Sequence, residues 1–102
     1  MKPVILSIMA EADLAKTAGD IGERSPKRAA TYVQEILQHG RKLAEFPGLG
    51  TPMPDLGQDL RRLVHDRYSI FYTVHSDRVQ IERVVHGARD LNQLFEDEPL
   101  PE

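Results

Sequence analysis

The sequence predicts an α+β domain in which a helix hairpin packs on an antiparallel sheet, in the order β-α-α-β-β-β. Two observations lead to this prediction. Between residues 10 and 44 apolar residues recur at helical spacing, whereas between residues 60 and 86 they alternate with polar residues as in strands. Residues 47–57, rich in proline and glycine, form a loop between the two halves. A chain of 102 residues supports one hydrophobic core, so we expect a single domain over residues 1–95.

The first half of the chain contains one predicted strand and two predicted helices. A short apolar run at residues 4–8 indicates a buried strand. The helix that follows contains Gly19 and Gly22, which lower its helix propensity. The second helix begins at Ser25-Pro26, because serine caps a helix N-terminus and proline suits the first helical position, and it ends before Pro47. Since only a few residues join the helices, we expect an antiparallel hairpin.

The second half of the chain contains three predicted strands. They are rich in β-branched and aromatic residues, and short polar turns separate them. The strands are Leu60–His65, Tyr68–Val74 and Val79–His86, with turns at Asp66-Arg67 and Ser76-Asp77. Residues 89–95 are compatible with a short helix after the last strand.

Composition excludes several classes of function. The chain has no cysteine, which excludes disulfides, a thiolate nucleophile and cysteine-ligated zinc. Its four histidines lie on separate predicted elements, and no two of them form an i, i+4 pair, so we expect no metal site. We expect no cofactor either. No apolar run approaches the ~20 residues of a membrane helix, so we expect a cytoplasmic protein that does not contact the membrane.

The net charge of −3 is concentrated at the end of the chain. Residues 96–102 carry four acidic residues and no basic one, and the rest of the chain has 13 basic against 12 acidic residues. We expect this acidic segment to be a disordered tail outside the domain. The body of the chain lacks the strongly basic charge of a nucleic-acid-binding domain, so we expect no direct contact with nucleic acid.

The most distinctive segment of the chain is Val85-His86-Gly87-Ala88-Arg89-Asp90-Leu91. It begins as an apolar strand and then reaches a glycine, so that a histidine and an arginine lie where regular structure ends. This arrangement presents an imidazole and a cation at a surface, which suits either catalysis or binding.

Together with four other segments, this one resembles the ParE/RelE superfamily of toxins from bacterial type II toxin–antitoxin systems. The other segments are Ala12-Asp13-Leu14, Phe46-Pro47-Gly48-Leu49-Gly50, Leu60-Arg61-Arg62-Leu63 and Tyr68-Ser69-Ile70-Phe71-Tyr72. The resemblance covers nearly the whole chain and implies a small α+β toxin that a partner antitoxin wraps and neutralises. RelE-like members cut messenger RNA in the ribosome, whereas ParE-like members are associated with inhibition of DNA gyrase and lack the nuclease residues.

The chain matches the nuclease residues of RelE-like members only in part. Arg61 matches a basic residue of the sheet, and Arg89 matches an arginine near the chain end. Ser69 stands where an arginine follows the strand tyrosine, and Phe95 stands in place of a late tyrosine. Serine cannot hold a phosphate as a guanidinium does, and phenylalanine cannot transfer a proton. We therefore predict a ParE-like toxin that inhibits gyrase by binding, has no catalytic activity and is held by a ParD-like antitoxin.

Several interpretations remain open for the site residues. A ParE-like toxin would use Arg61, His86 and Arg89 to bind its target. A RelE-like ribosome-dependent endoribonuclease would use the same three residues for catalysis, with His86 as the acid or base. The simpler interpretations are that His86 caps the strand end and that Arg89 pairs with Asp90 or Glu96. A third alternative is a member without toxicity that serves as a partner-binding module.

The helix hairpin is the predicted contact surface for the antitoxin. An antitoxin helix would lay its apolar face into a groove lined by Leu14, Ile21 and Tyr32. The alternative interpretation is that such apolar positions face the sheet and belong to the core.

Overall fold

The computed structural model describes residues 1–87 and has two helices packed on a five-stranded sheet. The helices are α1 (Ile8–Gly22) and α2 (Pro26–Arg41), and a short 3-10 helix (Lys42–Ala44) follows α2. The strands are β1 (Val4–Leu6), β2 (Thr51–Pro52), β3 (Leu60–His65), β4 (Tyr68–Val74) and β5 (Val79–His86). They lie side by side in the order β1-β5-β4-β3-β2.

The predicted α+β class and helix hairpin are confirmed. The three strands of the second half have the predicted boundaries, and β2 is an additional short strand within the proline-rich loop. The predicted helix at residues 89–95 and the predicted acidic tail at residues 96–102 lie outside the described residues.

The sheet is mixed, which corrects the predicted antiparallel arrangement at its first strand. Strands β2 to β5 pair antiparallel, but β1 pairs with β5 in parallel, with Val4 opposite Val79 and Leu6 opposite Ile81. Parallel neighbours require a long crossover, and here the helix hairpin and three strands separate β1 from β5 along the chain. The apolar pattern of a short strand does not encode its direction, so the sequence alone left this open.

Serine side chains begin both helices. Ser7 Oγ accepts a hydrogen bond from Ala10 N at 3.0 Å and donates one to Glu82 O at 2.7 Å, so the same hydroxyl caps α1 and ties it to β5. This cap ends β1 at Leu6, two residues earlier than predicted. Ser25 Oγ accepts from Arg28 N at 3.2 Å, which confirms the predicted start of α2.

The main core lies between the helices and the sheet. It combines apolar residues of both helices with residues of β3, β4 and β5 on the helix side of the sheet. Its buried members are Ala10, Leu14, Tyr32, Ile36, Leu43, Leu63, Tyr68, Ile70, Tyr72, Val79, Ile81 and Val84. At Gly40, α2 approaches β5 so closely that an added Cβ would lie 3.0 Å from Ile81 Cδ1. A smaller cluster contains Leu60 and Phe71, which alternate with the core residues and therefore lie on the other face.

Asp13 anchors α1 on β5. Its carboxylate accepts hydrogen bonds from Arg83 Nε at 2.8 Å, from Arg83 Nη2 at 3.0 Å and from Val84 N at 2.9 Å. Only 7% of the Arg83 side chain and 13% of the Asp13 side chain are exposed, so the forked pair is largely shielded from water. Because β1 pairs with β5 only as far as Ile81, Asp13 also satisfies a backbone donor beyond the end of β1.

Candidate binding surface at the sheet corner

The β3–β4 turn and the end of β5 meet in a region that we call the sheet corner (Asp66, Arg67, Tyr68, His86 and Gly87). Tyr68 and His86 are directly opposite each other on β4 and β5, and their ring centroids lie 5.0 Å apart in an edge-on contact. Gly87 N donates a hydrogen bond to Arg67 O at 2.8 Å, which ties the strand end to the turn. Gly87 has a φ of 70°, a left-handed conformation that glycine adopts without steric penalty.

Asp66 connects the turn to the helix hairpin. Its φ is 55°, a left-handed backbone conformation that aspartate adopts more readily than most residues. The Tyr32 hydroxyl of α2 donates to Asp66 Oδ2 at 2.9 Å. Burial, followed by this hydrogen bond, raises the pKa of Tyr32 to about 12. Tyr32 therefore stays a neutral donor, and the turn is held to α2 across physiological pH.

The sheet corner exposes a cation and an imidazole at the protein surface. Arg67 and His86 are both exposed, and neither side chain forms a hydrogen bond or an ion pair with another described residue. At the end of β5 the Gly87 backbone makes the hydrogen bond to the turn. The His86 ring instead contacts Tyr68. The corner can therefore donate hydrogen bonds to an acidic group of a partner. Arg67 was not among the predicted site residues, although its place in a predicted turn already indicated exposure.

Arg61 lies far from the sheet corner. It is four residues from His65 along β3, about 13 Å at the usual rise per residue, and it is His65 that aligns with Tyr68 and His86. Arg61 Nη1 donates to Gly50 O at 2.7 Å and to Gly48 O at 3.4 Å, so its guanidinium holds the loop before β2. The structure thus separates Arg61 from His86, and Arg89 lies outside the described residues.

Tyr72 also holds the loop before β2, through two hydrogen bonds of its buried hydroxyl. Its hydroxyl donates to Pro47 O at 2.7 Å and accepts from Gly50 N at 2.8 Å, and the residue is fully buried. A Cβ at Gly50 would lie 2.7 Å from Tyr72 Cε1, so only glycine fits at this close approach. Beside it, Phe46 and Leu49 are 60% and 49% exposed. Arg61 and Tyr72 therefore hold a loop that presents two apolar side chains.

Ser69 is buried, and its hydroxyl is hydrogen-bonded to a neighbouring side chain. It is 2% exposed, and its hydroxyl accepts a hydrogen bond from Arg62 Nε at 2.8 Å. Arg62 and Arg61 alternate along β3 and point to opposite faces of the sheet. The guanidinium bonded to Ser69 therefore comes from the preceding strand, and this contact was not predicted from the sequence.

The residues predicted to contact an antitoxin are mostly buried. Leu14 and Tyr32 are 6% and 7% exposed and belong to the main core, and Ile21 is half-buried against that core. Their role in antitoxin binding stays a prediction, and Ile21 alone offers appreciable surface. The most exposed apolar side chain of α1 is Ile8, at 86%.

Within residues 1–87 no group of three or more histidine, aspartate or glutamate side chains is arranged to hold a metal ion. None of the helices in this part of the chain is long and apolar enough to cross a membrane.

Comparison with known proteins identifies the family. Residues 4–91 match the model of the ParE toxin of the type II toxin–antitoxin system parDE. The chain is 38% identical over 91 residues to Toxin ParE1 of Caulobacter vibrioides, with 84% of this chain and 90% of that protein covered. Its fold is similar to a chain of the solved chromosomal ParDE system from P. aeruginosa, with a TM-score of 0.75 at 22% identity, covering 86% of this chain and 98% of that one. The chain therefore belongs to the ParE toxin family of type II toxin–antitoxin systems.

Proposed function

We propose that this ParE-family toxin inhibits DNA gyrase in the cytoplasm by binding to it, without catalysis, and that a ParD-like antitoxin neutralises it. The observation that carries the non-catalytic part is the distance between Arg61 and His86. Cleavage of RNA through its 2′-hydroxyl needs a base, a cation and an acid around one phosphate. Arg61 and His86 lie at different ends of β3 and β5, about 13 Å apart along the strands, so they do not surround one phosphate.

The surroundings of His86 also favour binding over catalysis. A catalytic imidazole is usually oriented by a hydrogen bond to its second nitrogen. Within residues 1–87, His86 makes an edge-on contact with the Tyr68 ring and no side-chain hydrogen bond, and Arg67 beside it is exposed. An exposed imidazole and guanidinium on a rigid turn match the requirements for gripping an acidic surface of a protein partner.

The target-binding surface that we propose combines the predicted residues with one addition. Arg61, His86 and Arg89 are retained, and Arg67 is added. Arg61 would act indirectly by holding the loop that presents Phe46 and Leu49. His86 and Arg67 would contact the target directly at the sheet corner.

A purified-component assay tests this function. The chain is incubated with gyrase and relaxed plasmid, and supercoiling is measured with and without the antitoxin encoded beside it. We expect inhibition that the antitoxin reverses, and induction of the SOS response when the chain is expressed alone. Translation-dependent cleavage of messenger RNA without gyrase inhibition would support the endoribonuclease alternative, and growth without any defect would support a non-toxic partner-binding member.

Substitutions at the sheet corner test the proposed surface. Arg67→Ser and His86→Gln should each weaken gyrase inhibition by about tenfold, the loss typical of one charge-assisted contact. The matched control is Arg24→Ser, which removes an exposed arginine between the two helices. Equal inhibition by all three variants would show that the sheet corner does not contact the target.

The antitoxin interface is tested separately. We propose that the antitoxin packs on the helix hairpin at Ile21, as predicted from the sequence. Ile21→Glu should reduce co-purification with the antitoxin while gyrase inhibition persists, because Ile21 belongs to the helix hairpin and is not one of the sheet-corner residues. Unchanged co-purification would place the antitoxin elsewhere on the surface.

A further inference from the structure

Two histidines from different elements face each other beneath the sheet corner. His39 lies in the last turn of α2, and His65 is the last residue of β3. Their Nδ1 atoms are 2.9 Å apart, and their ring centroids are 5.0 Å apart. Both side chains are half-buried. This is the only side-chain hydrogen bond between α2 and β3 among the described residues.

The hydrogen bond between the two rings depends on protonation. One Nδ1 must carry a hydrogen and donate it, and the other must be bare and accept it. If both nitrogens are protonated, no acceptor remains, and two imidazolium groups lie in direct contact. The pair therefore holds one proton between its rings and is broken by a second.

Charged and titratable groups from several elements surround the pair. Lys42 lies on the 3-10 helix, Glu35 and Tyr32 lie on α2, and Asp66 lies on the β3–β4 turn. Burial, followed by the charges of His65 and Lys42, lowers the pKa of His39. The nearby carboxylates are already engaged, since Glu35 pairs with Arg28 and Asp66 accepts from Tyr32. Within the described residues, neither carboxylate forms an ion pair with His39 or His65, although Glu35 lies close enough to interact with the charge of His65.

The pair is continuous with the sheet corner through ring contacts. The His65 ring lies 5.8 Å from Tyr32, Tyr32 lies 5.6 Å from Tyr68, and Tyr68 lies 5.0 Å from His86, measured between centroids. We call His39, His65, Tyr32, Tyr68 and His86 the ring cluster. Because packed rings move together, opening of the pair at one end changes the support of His86 at the other.

We propose that His39 and His65 form a proton-operated latch between α2 and β3. With one shared proton the latch is closed and holds the end of α2 on the sheet. When both Nδ1 atoms are protonated the latch opens, and the last turn of α2 and the ring cluster beneath the sheet corner loosen. This inference does not depend on what the sheet corner binds.

Amide hydrogen exchange at pH 7.5 and pH 5.0 tests the latch, with rates corrected for the intrinsic effect of pH. In the wild-type chain we expect protection at residues 36–41 to fall about tenfold more than protection in α1, which is the change produced by losing one hydrogen bond of ordinary strength. In His39→Gln and His65→Gln this difference should disappear, because a neutral amide replaces one titrating ring. The matched control is His75→Gln, which removes an imidazole that bonds to Thr73 away from the pair and should behave as wild type.

A direct measurement of the rings keeps the test independent of any effect of the substitutions on folding. Nitrogen chemical shifts of the imidazoles in the wild-type chain at pH 7.5 should show one protonated and one bare Nδ1 within the pair. Two bare Nδ1 atoms at this pH would overturn the proposal. The same loss of protection in His39→Gln as in the wild type would also overturn it.

Discussion

The two helices of the hairpin are held on the sheet by different chemistry. On the α1 side, Asp13 grips Arg83 and Val84 N in a site that is nearly closed to water. On the α2 side, the hydroxyl of Tyr32 and the imidazole of His39 reach a half-open corner of the sheet. A guanidinium–carboxylate fork keeps its charges over the whole physiological pH range, whereas an imidazole pair does not.

The contacts that hold α1 on the sheet are therefore independent of pH in the physiological range, whereas the imidazole contact that holds α2 depends on protonation. The α1 anchor lies on β5, which pairs with β1 on one side and with β4 on the other. The α2 contacts lie beneath the sheet corner, where the proposed target-binding residues are exposed. A fold with a binding surface needs one helix that is held firmly on the sheet. Groups of marginal stability can then lie where the surface meets its partner.

Removal of the α1 anchor should have the largest effect. Asp13→Ala deletes the acceptor of three hydrogen bonds in a buried site, and breaking a buried ion pair costs about 3–5 kcal/mol. The free energy of unfolding, measured with urea, should fall by that amount. The matched control is Asp20→Ala on the same helix, where the pair with Lys16 is exposed and is worth less than about 0.5 kcal/mol. Equal losses in the two variants would show that the Asp13 pair is not an anchor.

Glu82 on β5 should make the free energy of unfolding depend on pH with a sign opposite to that of His39 on α2. It is 1% exposed, its Oε1 accepts a distant hydrogen bond from Thr73 Oγ1 at 3.4 Å, and its Oε2 has no hydrogen-bond partner in the described part of the chain. Burial raises the pKa of Glu82, so the folded chain binds a proton that the unfolded chain releases. Stability should therefore fall as pH rises above about 4.5, by about 1.4 kcal/mol for each unit of pKa shift.

Glu82→Gln tests this expectation, because the amide does not ionise. The variant should gain stability over wild type as pH increases, as measured by thermal unfolding between pH 4 and 8. On the α2 side the sign is reversed, since the pKa of His39 is lowered and its contribution is lost as pH falls below about 6.5. The two contributions therefore have opposite slopes against pH and partly offset each other between about pH 4.5 and 6.5. Parallel pH profiles for Glu82→Gln and wild type would contradict the assignment.

Tyr32→Phe should have a smaller effect on the α2 side. It removes one hydrogen bond to Asp66, which is exposed and regains water, so the expected loss is about 1 kcal/mol. Tyr72→Phe is the informative comparison, because it leaves Gly50 N and Pro47 O without their partner in a buried place and should cost about 1–3 kcal/mol. A larger loss for Tyr32→Phe than for Tyr72→Phe would mean that the turn depends on α2 more than the geometry indicates.

Arg67→Ser should have the smallest effect on stability. Its side chain is exposed and makes no contact that the fold needs, so the free energy of unfolding should stay within about 0.5 kcal/mol of wild type. Combined with a loss of gyrase inhibition, this result would assign Arg67 to binding alone. A clear loss of stability would instead make it part of the turn structure.

Much of the fold was readable from local patterns. Ser25-Pro26 marked the start of α2 because its hydroxyl and ring satisfy the requirements of a helix N-terminus without help from the rest of the chain. The limits of β3, β4 and β5 followed from alternation and turn residues for the same reason. The direction of β1 was not readable, because a three-residue apolar strand pairs equally well in either direction.

The spatial arrangement of the candidate site residues was less readable from the sequence. His86 was placed correctly at the end of a strand. Arg61 was grouped with it because it matches a basic sheet residue of RelE-like members, and the strand register separates the two residues. Leu14 and Tyr32 were assigned to a groove because helical spacing gives the apolar face of a helix without showing what covers it. The pairing of His39 with His65 joins residues 26 positions apart, and no local pattern indicated it.

The sequence by itself determined the two helices, the three long strands and the family of this protein, since these depend on local propensity and on motifs that stay together along the chain. Tertiary structure decided the parallel place of β1, the Asp13–Arg83 anchor and the ring cluster beneath His86. Each of these brings together groups from distant parts of the chain. Their energies depend on distance and on exclusion of water, which exist only after the sheet and the hairpin have packed.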